Sequence, residues 1–280
     1  TARAFMEAEA ARGVTSKTWN DTLKLCRASC KYLLPAGSIN PFTGIPPRDT
    51  ETVFRKPFTP EELKAIVDAA LDDDFARPIL ITGICTAMRR GDCCLLKWSD
   101  VDLTRRFITV KTAKTGATVA IPIFPMLYDE LVRHTRTADG YVFPDQAAMY
   151  EENPDGITWR VRKVFAAAGF KDAEEASETD PDGGEATATA AALLSQTNGD
   201  ENDPTAPAAI GGEIHAKRKG GLRRASVRDF HSFRVTWVTL ALTAGVPLEL
   251  VQKVTGHKTA EVVLKHYYQP GREEFRRAFQ

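Results

Sequence analysis

Residues 172–213 set the first limit on what this chain can fold into. The stretch is rich in Ala, Thr, Gly, Pro, Asp and Glu, with almost no large apolar side chain. It carries eleven acidic residues and no Lys or Arg. Such a composition buries too little apolar surface to offset the entropy of ordering, so it predicts a disordered insertion in a surface loop. Asp180-Pro-Asp-Gly-Gly-Glu185 faintly resembles a calcium loop, but the ligand spacing is wrong. The core must therefore come from chain on both sides of the insertion.

The same segment decides how the charge is read. Lys and Arg number 37, Asp and Glu number 37, and the net charge is zero. A zero spread evenly would argue against a nucleic-acid partner. Without residues 172–213 the balance is 37 basic against 26 acidic side chains, a net of +11. The sign flips just after the insertion, in a run of His215, Lys217, Arg218, Lys219, Arg223, Arg224 and Arg228. The body of the chain is thus basic, as a phosphate-rich partner requires.

Other classes fall away. Hydrophobic residues at 43% support a real core. No apolar run approaches the roughly 18–20 residues of a membrane span, and no secretory pattern opens the chain. Five cysteines, at 26, 30, 85, 93 and 94, read as reduced thiols, which points to the cytoplasm. Cys26 and Cys30 share a helical face, but no second pair sits at zinc-ligand spacing, and no metal is expected. The chain opens on Thr1 instead of Met, which predicts a fragment of a longer gene product.

Periodicity gives a mostly helical α+β chain. Residues 1–34 form two helices, the second from Ser16 with Trp19, Leu23, Cys26 and Cys30 on one side and Ser16 or Thr18 as its cap. The Pro- and Gly-rich residues 35–47 follow as a linker. Residues 1–47 are expected to be the tail of a helical domain, and 57–280 a second domain. Thr59-Pro60-Glu61-Glu62 combines an N-cap, a Pro at the first helical position and a capping-box Glu. A buried helix is expected over Pro78–Thr86, and another from Arg89–Gly91 through Trp98. Alternation at Ile108 and Val110, then at Val119, Ile121 and Ile123, predicts a β-hairpin with Lys114 and Gly116 in its turn. Helical spacing returns over 125–136, 158–168, 231–244, 247–255 and 259–268.

Metal-free transfer of a phosphodiester needs a nucleophile, cations on the non-bridging oxygens, a proton acceptor and a proton donor. Arginine suits the oxygens, since its planar fork binds phosphate bidentately and stays charged. A tyrosine can attack and hold the phosphoryl group covalently. Four segments supply such residues in order: Cys85-Thr-Ala-Met-Arg-Arg-Gly-Asp92, Lys111-Thr-Ala-Lys-Thr-Gly116, His231-Ser-Phe-Arg234, and Thr255-Gly-His257 followed by Lys265-His-Tyr-Tyr268.

In this order and at these intervals the segments resemble the tyrosine recombinases of the phage integrase family, over about residues 57–280 without the insertion. Residues 1–47 resemble the end of that family's helical core-binding domain. The resemblance implies a site-specific recombinase catalytic domain with a small antiparallel sheet. It implies that Arg89, Arg234 and His257 hold the scissile phosphate, and that Asp92 supports Arg89. Lys114 would protonate the 5′-oxygen, His231 would accept the tyrosine proton, and Tyr267 would attack to leave a 3′-phosphotyrosyl bond. Arg90 is adjacent to Arg89, but the spacing to Thr86, Asp92 and Leu95 favours Arg89; Lys111 competes with Lys114, and Tyr268 with Tyr267. Lys111, Lys217, Arg218, Lys219, Arg223 and Arg224 would contact DNA. The family acts without cofactor as a DNA-bound tetramer, and residues 272–279 resemble the C-terminal helix that docks on a neighbouring protomer. The chain departs from the pattern at Ala87, where Gly is usual, at Asp92, where Glu is common, at Thr255, where Leu is usual, and by one extra residue before the tyrosine.

Three rivals keep some of these features. A DNA-binding module without chemistry would use the helix pair around Ala244-Gly245. A type IB topoisomerase would share the chemistry and relax DNA as a monomer. A metal-dependent hydrolase would use His231, His257 and His266.

Overall fold

The computed structural model describes residues 1–50, 53–112, 116–137, 140–171, 212–216 and 225–269. Most of the insertion, Lys114, the basic residues 217–224 and the tail 270–280 lie outside the described residues.

Two helices open the chain, α1 (Ala2–Ala11) and α2 (Ser16–Leu33). They pack through Met6, Trp19 and Leu23, a small core of its own. The Trp19 indole donates to the Met6 carbonyl at 2.8 Å. The cap of α2 is Thr15, whose hydroxyl accepts from the Thr18 amide. Ser16 and Thr18, the expected caps, lie inside the helix, because extended backbone at Thr15 aims its hydroxyl at the first free amides. The Pro- and Gly-rich stretch is tied down. Arg27 donates to the carbonyls of Phe42 at 3.1 Å and Ile45 at 2.5 Å, and Asn20 exchanges two 2.8 Å bonds with the Arg48 backbone.

The larger body starts at α3 (Pro60–Ala69), whose Thr59 and Glu62 complete the capping box. The central element is α4 (Ala76–Thr86), buried on nearly every side. That explains its uniformly apolar sequence, which carries no amphipathic signal. It touches α3, α5 (Arg90–Cys94), α6 (Pro125–Leu131), α8 (Pro154–Ala167) and α9 (Phe230–Thr243). Gly83 lets the start of α9 close on α4, since a Cβ there would lie 2.5 Å from Phe230 Cζ. Phe58, Phe165, Phe170 and Phe233 interlock beside this crossing with ring centroids 5.1–5.9 Å apart.

A three-stranded antiparallel sheet flanks the helices in the order β1 (Val101–Asp102), β2 (Phe107–Lys111), β3 (Thr118–Pro122). Ile108 faces Ile121 and Val110 faces Val119, so the period-2 residues all turn inward. The remaining elements are α7 (Pro144–Glu152), the short pair β4 (His215–Ala216) and β5 (Ala225–Ser226), α10 (Leu248–Thr255) and α11 (Ala260–His266).

Several expectations need correction. The helix expected through Trp98 ends at Cys94, and Trp98–Asp100 form a single 3₁₀ turn. The backbone turns extended at Lys97 so that the Trp98 ring reaches the core. The helix expected over 125–136 ends at Leu131. Strands β1, β4 and β5, two residues each, are too short for periodicity to show. Helix α7 has buried residues at Gln146 and Ala147, so its apolar face is faint in sequence.

Candidate active site

The site forms where α9, the turn after α4 and the turn after α10 meet. Helix α9 is fixed at its start by Asp229, which caps it by accepting from the His231 amide at 2.9 Å, with Ser232 closing a capping box. Arg55 donates to both Asp229 oxygens at 2.8 Å, and Ser226 donates to one of them at 3.2 Å. This holds the first turn of α9, and with it His231 and Arg234, three residues apart on one face.

Arg234 is almost wholly buried and grips two helix ends. Its Nη1 donates to the Ala87 carbonyl at 2.8 Å, and its Nη2 donates to the Thr255 carbonyl. Nη2 also lies 3.2 Å from His257 Nε2. Burial pulls this guanidinium down to about 10, with the nearby Arg89 charge adding and the Tyr267 hydroxyl opposing. It stays charged at neutral pH.

Arg89 lies in the extended residue before α5, with Nη1 3.8 Å from Asp92 Oδ2. Arg89 Nη1 and Arg234 Nε are buried without a hydrogen-bond partner among the described residues. Two cationic groups with idle donors make a place prepared for an anion. Arg90 turns away, bonding Thr158 and lying 5.8 Å over the Tyr150 ring. The structure thus separates two adjacent arginines, of which the spacing to Thr86, Asp92 and Leu95 favours the first.

Tyr267, just past α11, brings its hydroxyl 3.1 Å from His231 Nε2. Its ring centroid lies 4.4 Å from that of His257, and Arg234 Cζ stands 5.5 Å from it. Its carbonyl accepts from Thr239 of α9 at 3.0 Å, which docks this end of α11 onto α9. Tyr268 makes no side-chain hydrogen bond or ring contact among the described residues. His266 packs on Phe54 at 5.7 Å between ring centroids, apart from the other two histidines.

Burial is the main influence on the protonation of both site histidines. His231 is pushed down to about 4 by burial and by Arg55, Arg234 and Arg89, against the pull of Asp229. His257 is pushed down to about 3 by burial, Arg234, Arg89 and His231. Both are neutral at pH 7, and His231 can therefore accept a proton.

The sheet adjoins the site through Gly256. This residue caps α10 with φ 68°, and a Cβ there would lie 3.1 Å from Val119 Cγ1 and 3.9 Å from Thr112 Cγ2. The end of β2, where Lys111 is exposed, is thereby set beside His257. Lys114, Lys217, Arg218, Lys219, Arg223 and Arg224 lie outside the described residues, as does 272–279. Asp229 and Arg55 do not stand out in the sequence motifs, and Thr255 stands out there only as a departure. The Asp229–Ser232 spacing was a readable cap signal. Arg55 carried none, since its partner is 174 positions away.

Residues 56–181 match the model of the phage integrase family. The fold is that of the tyrosine recombinase catalytic domains. A curated relative, the tyrosine recombinase XerA of Pyrococcus furiosus, is 30% identical over 122 residues. That match spans 41% of this chain and 43% of the relative, less than half of its length. A lambda integrase dimer bound to a COC′ core site superposes with a TM-score of 0.61 at 16% identity, over 96% of this chain and 64% of that one. The Tn1549 transposon integrase in complex with circular intermediate DNA gives 0.58 at 16%, over 99% and 84%. Among the described residues no helix is long and apolar enough to cross a membrane.

Proposed function

We propose that this chain is a site-specific DNA recombinase that cuts and rejoins strands through a 3′-phosphotyrosyl intermediate. The observation that carries the reading is the Tyr267 hydroxyl, 3.1 Å from a neutral His231 and beside the idle donors of Arg89 and Arg234. The scissile phosphate sits between the two arginines, which neutralise the charge that grows on its oxygens. Tyr267 attacks phosphorus while its proton passes to His231 Nε2, and the bond to the 5′-oxygen breaks. That oxygen takes a proton from Lys114 and leaves as a hydroxyl. Attack by a 5′-hydroxyl from a partner strand reverses the step and exchanges strands. Asp92 holds Arg89, and His257 lies against the nucleophile ring.

Double-stranded DNA is the partner, met by the basic body and by Lys111, Lys217, Arg218, Lys219, Arg223 and Arg224. In support, the lambda and Tn1549 integrases that share the fold were solved on DNA, one lambda assembly as a tetramer bound to a Holliday junction. Self-association on DNA uses residues 272–279, and an apolar groove beside Phe107, Phe124, Trp237, Leu240 and Leu250 offers a seat for them. Residues 1–47 are the C-terminal part of a helical core-binding domain with its linker, and the protein works in the cytoplasm.

The test is a nicked DNA carrying a cognate site, incubated in EDTA and denatured in SDS. A covalent 3′ adduct is expected for the wild type and for Tyr268→Phe, and none for Tyr267→Phe. An adduct that survives Tyr267→Phe would overturn the assignment of the nucleophile.

A further inference from the structure

Thr255 closes α10 with its hydroxyl and its carbonyl both turned into the site, and it is buried. Its Oγ1 lies 2.6 Å from the Val251 carbonyl and 2.8 Å from His257 Nδ1. A carbonyl oxygen only accepts, so the single hydroxyl proton points at Val251. The hydroxyl oxygen is then an acceptor toward His257, and Nδ1 must carry a proton. The other side of the ring gives the same answer independently. Arg234 Nη2, which only donates, lies 3.2 Å from Nε2, so Nε2 must offer a lone pair.

We propose that Thr255 is a positioning residue that fixes neutral His257 as the Nδ1–H tautomer, so that His257 faces the phosphate site with a lone pair and must take up one proton from solvent before it can donate to a phosphate oxygen. The inference rests on the recombinase reading for its phosphate but not for its tautomer. An aliphatic side chain at position 255 could not set the ring this way, because only a hydroxyl both donates along the helix and accepts from Nδ1. The groups around the ring disfavour that proton. Arg234 and His231 of α9, and Arg89 before α5, all face His257, and burial and these charges hold it neutral. Tyr267 lies against its ring, and Asp92 is the carboxylate nearest the arginines. A phosphodiester anion offsets the charges of Arg234 and Arg89, and Nε2 can then be protonated against a phosphate oxygen. Protonation of His257 and arrival of the anion are thus coupled.

Two readouts test this with Thr255→Val, close in shape, and Thr255→Ser, which keeps the hydroxyl. The first is 15N NMR of the histidine rings in the free protein at pH 7. The wild type and Thr255→Ser are expected to show His257 as Nδ1–H with a slowly exchanging ring proton, and Thr255→Val to lose that protection. The second is the pH profile of adduct formation on nicked DNA. In the wild type and Thr255→Ser the rate falls roughly tenfold per pH unit above the His257 pKa of the complex. In Thr255→Val neutral His257 can turn to the Nε2–H form and donate, so the alkaline fall flattens. A wild-type ring found as Nε2–H, or a Thr255→Val profile that overlays the wild type, overturns the proposal. No adduct from wild type on cognate DNA would instead strike the recombinase reading and leave the tautomer result standing.

Discussion

Two helix ends turn left-handed to reach the site, and they are built differently. Helix α4 ends at Ala87 with φ 56°, and α10 ends at Gly256 with φ 68°. Each turn launches a site residue, Arg89 from the first and His257 from the second. Arg234 bonds a carbonyl in each, at Ala87 and at Thr255. Yet Ala87 carries a methyl that is fully buried, while Gly256 has Val119 3.1 Å from where a methyl would sit. At the first end only the backbone angle is demanding. At the second, both the angle and the space are. The two halves of the site are therefore held by one buried cation on two helix C-termini, where the helix dipoles favour it.

Removing that cation should break the comparison outright. Arg234→Ala leaves both carbonyls without their donor, and two charge-assisted bonds suggest a loss of about 3–5 kcal/mol. Chemical denaturation should show it, and the adduct should vanish. Arg234→Lys keeps a charge but not the fork, so it cannot reach Ala87 and Thr255 together. A lysine variant with wild-type stability would show that the two ends do not depend on a shared clamp.

Next in size comes Gly256→Ala. The left-handed angle costs a non-glycine residue roughly 1–2 kcal/mol, and pressure on Val119 adds to it, for about 2–3 kcal/mol in all. Gly245→Ala is the control, since Gly245 has φ 80° with nothing within 4 Å of a Cβ. It should lose only the angular part. Gly256→Ala should also slow adduct formation, because the shift falls between β3 and His257. Equal stability losses at the two glycines would mean that the sheet does not press on α10.

A smaller effect follows from pH. An unfolded histidine titrates near ~6.5, and folded His231 near about 4. The folded state therefore resists protonation that the unfolded chain accepts. Its contribution is whole above ~6.5 and is lost as pH falls toward 4, with His257 acting in the same sense. For His231 the loss between pH 7 and pH 5.5 is about 1 kcal/mol. Urea midpoints at both pH values should fall further for the wild type than for His231→Gln. Adduct formation should likewise rise with pH through the His231 pKa, as a neutral base requires, before the fall above the His257 pKa of the complex.

The same contrast explains what sequence could and could not show. Capping at Thr59-Pro60-Glu61-Glu62 and the alternation of Ile108, Val110, Val119 and Ile121 are local, and both expectations match the structure. The extents of α5 and α6 do not, because Trp98 and the chain after Leu131 are placed by packing and not by period. In the site, the resemblance to the phage integrase family pointed to His231, Arg234, His257 and Tyr267, which the fold brings together. Local spacing to Thr86, Asp92 and Leu95 favoured Arg89, but where Arg90 goes was not local, since it bonds Thr158 and lies over Tyr150, some 60–70 positions on. Nor was Thr255 legible as more than a departure. Its meaning comes from the direction of one hydroxyl proton, set by Val251 on one side and by His257 on the other.

The smallest expected effect is the most informative about the α4 end. Ala87→Gly relieves a left-handed alanine, worth roughly 1–2 kcal/mol. Against this stand the added freedom of glycine in the unfolded chain, about 0.4–1 kcal/mol, and the loss of one buried methyl, about 0.8 kcal/mol. The terms cancel to within about 1 kcal/mol, so the denaturation midpoint should scarcely move. The clamp itself is backbone, because Arg234 takes the Ala87 carbonyl and not its side chain, so adduct formation should hold as well. Glycine to alanine at one helix end is thus costly, and alanine to glycine at the other is nearly silent. A loss at Ala87→Gly as large as that at Gly256→Ala would mean that the buried methyl, and not the arginine, fixes the turn that carries Arg89.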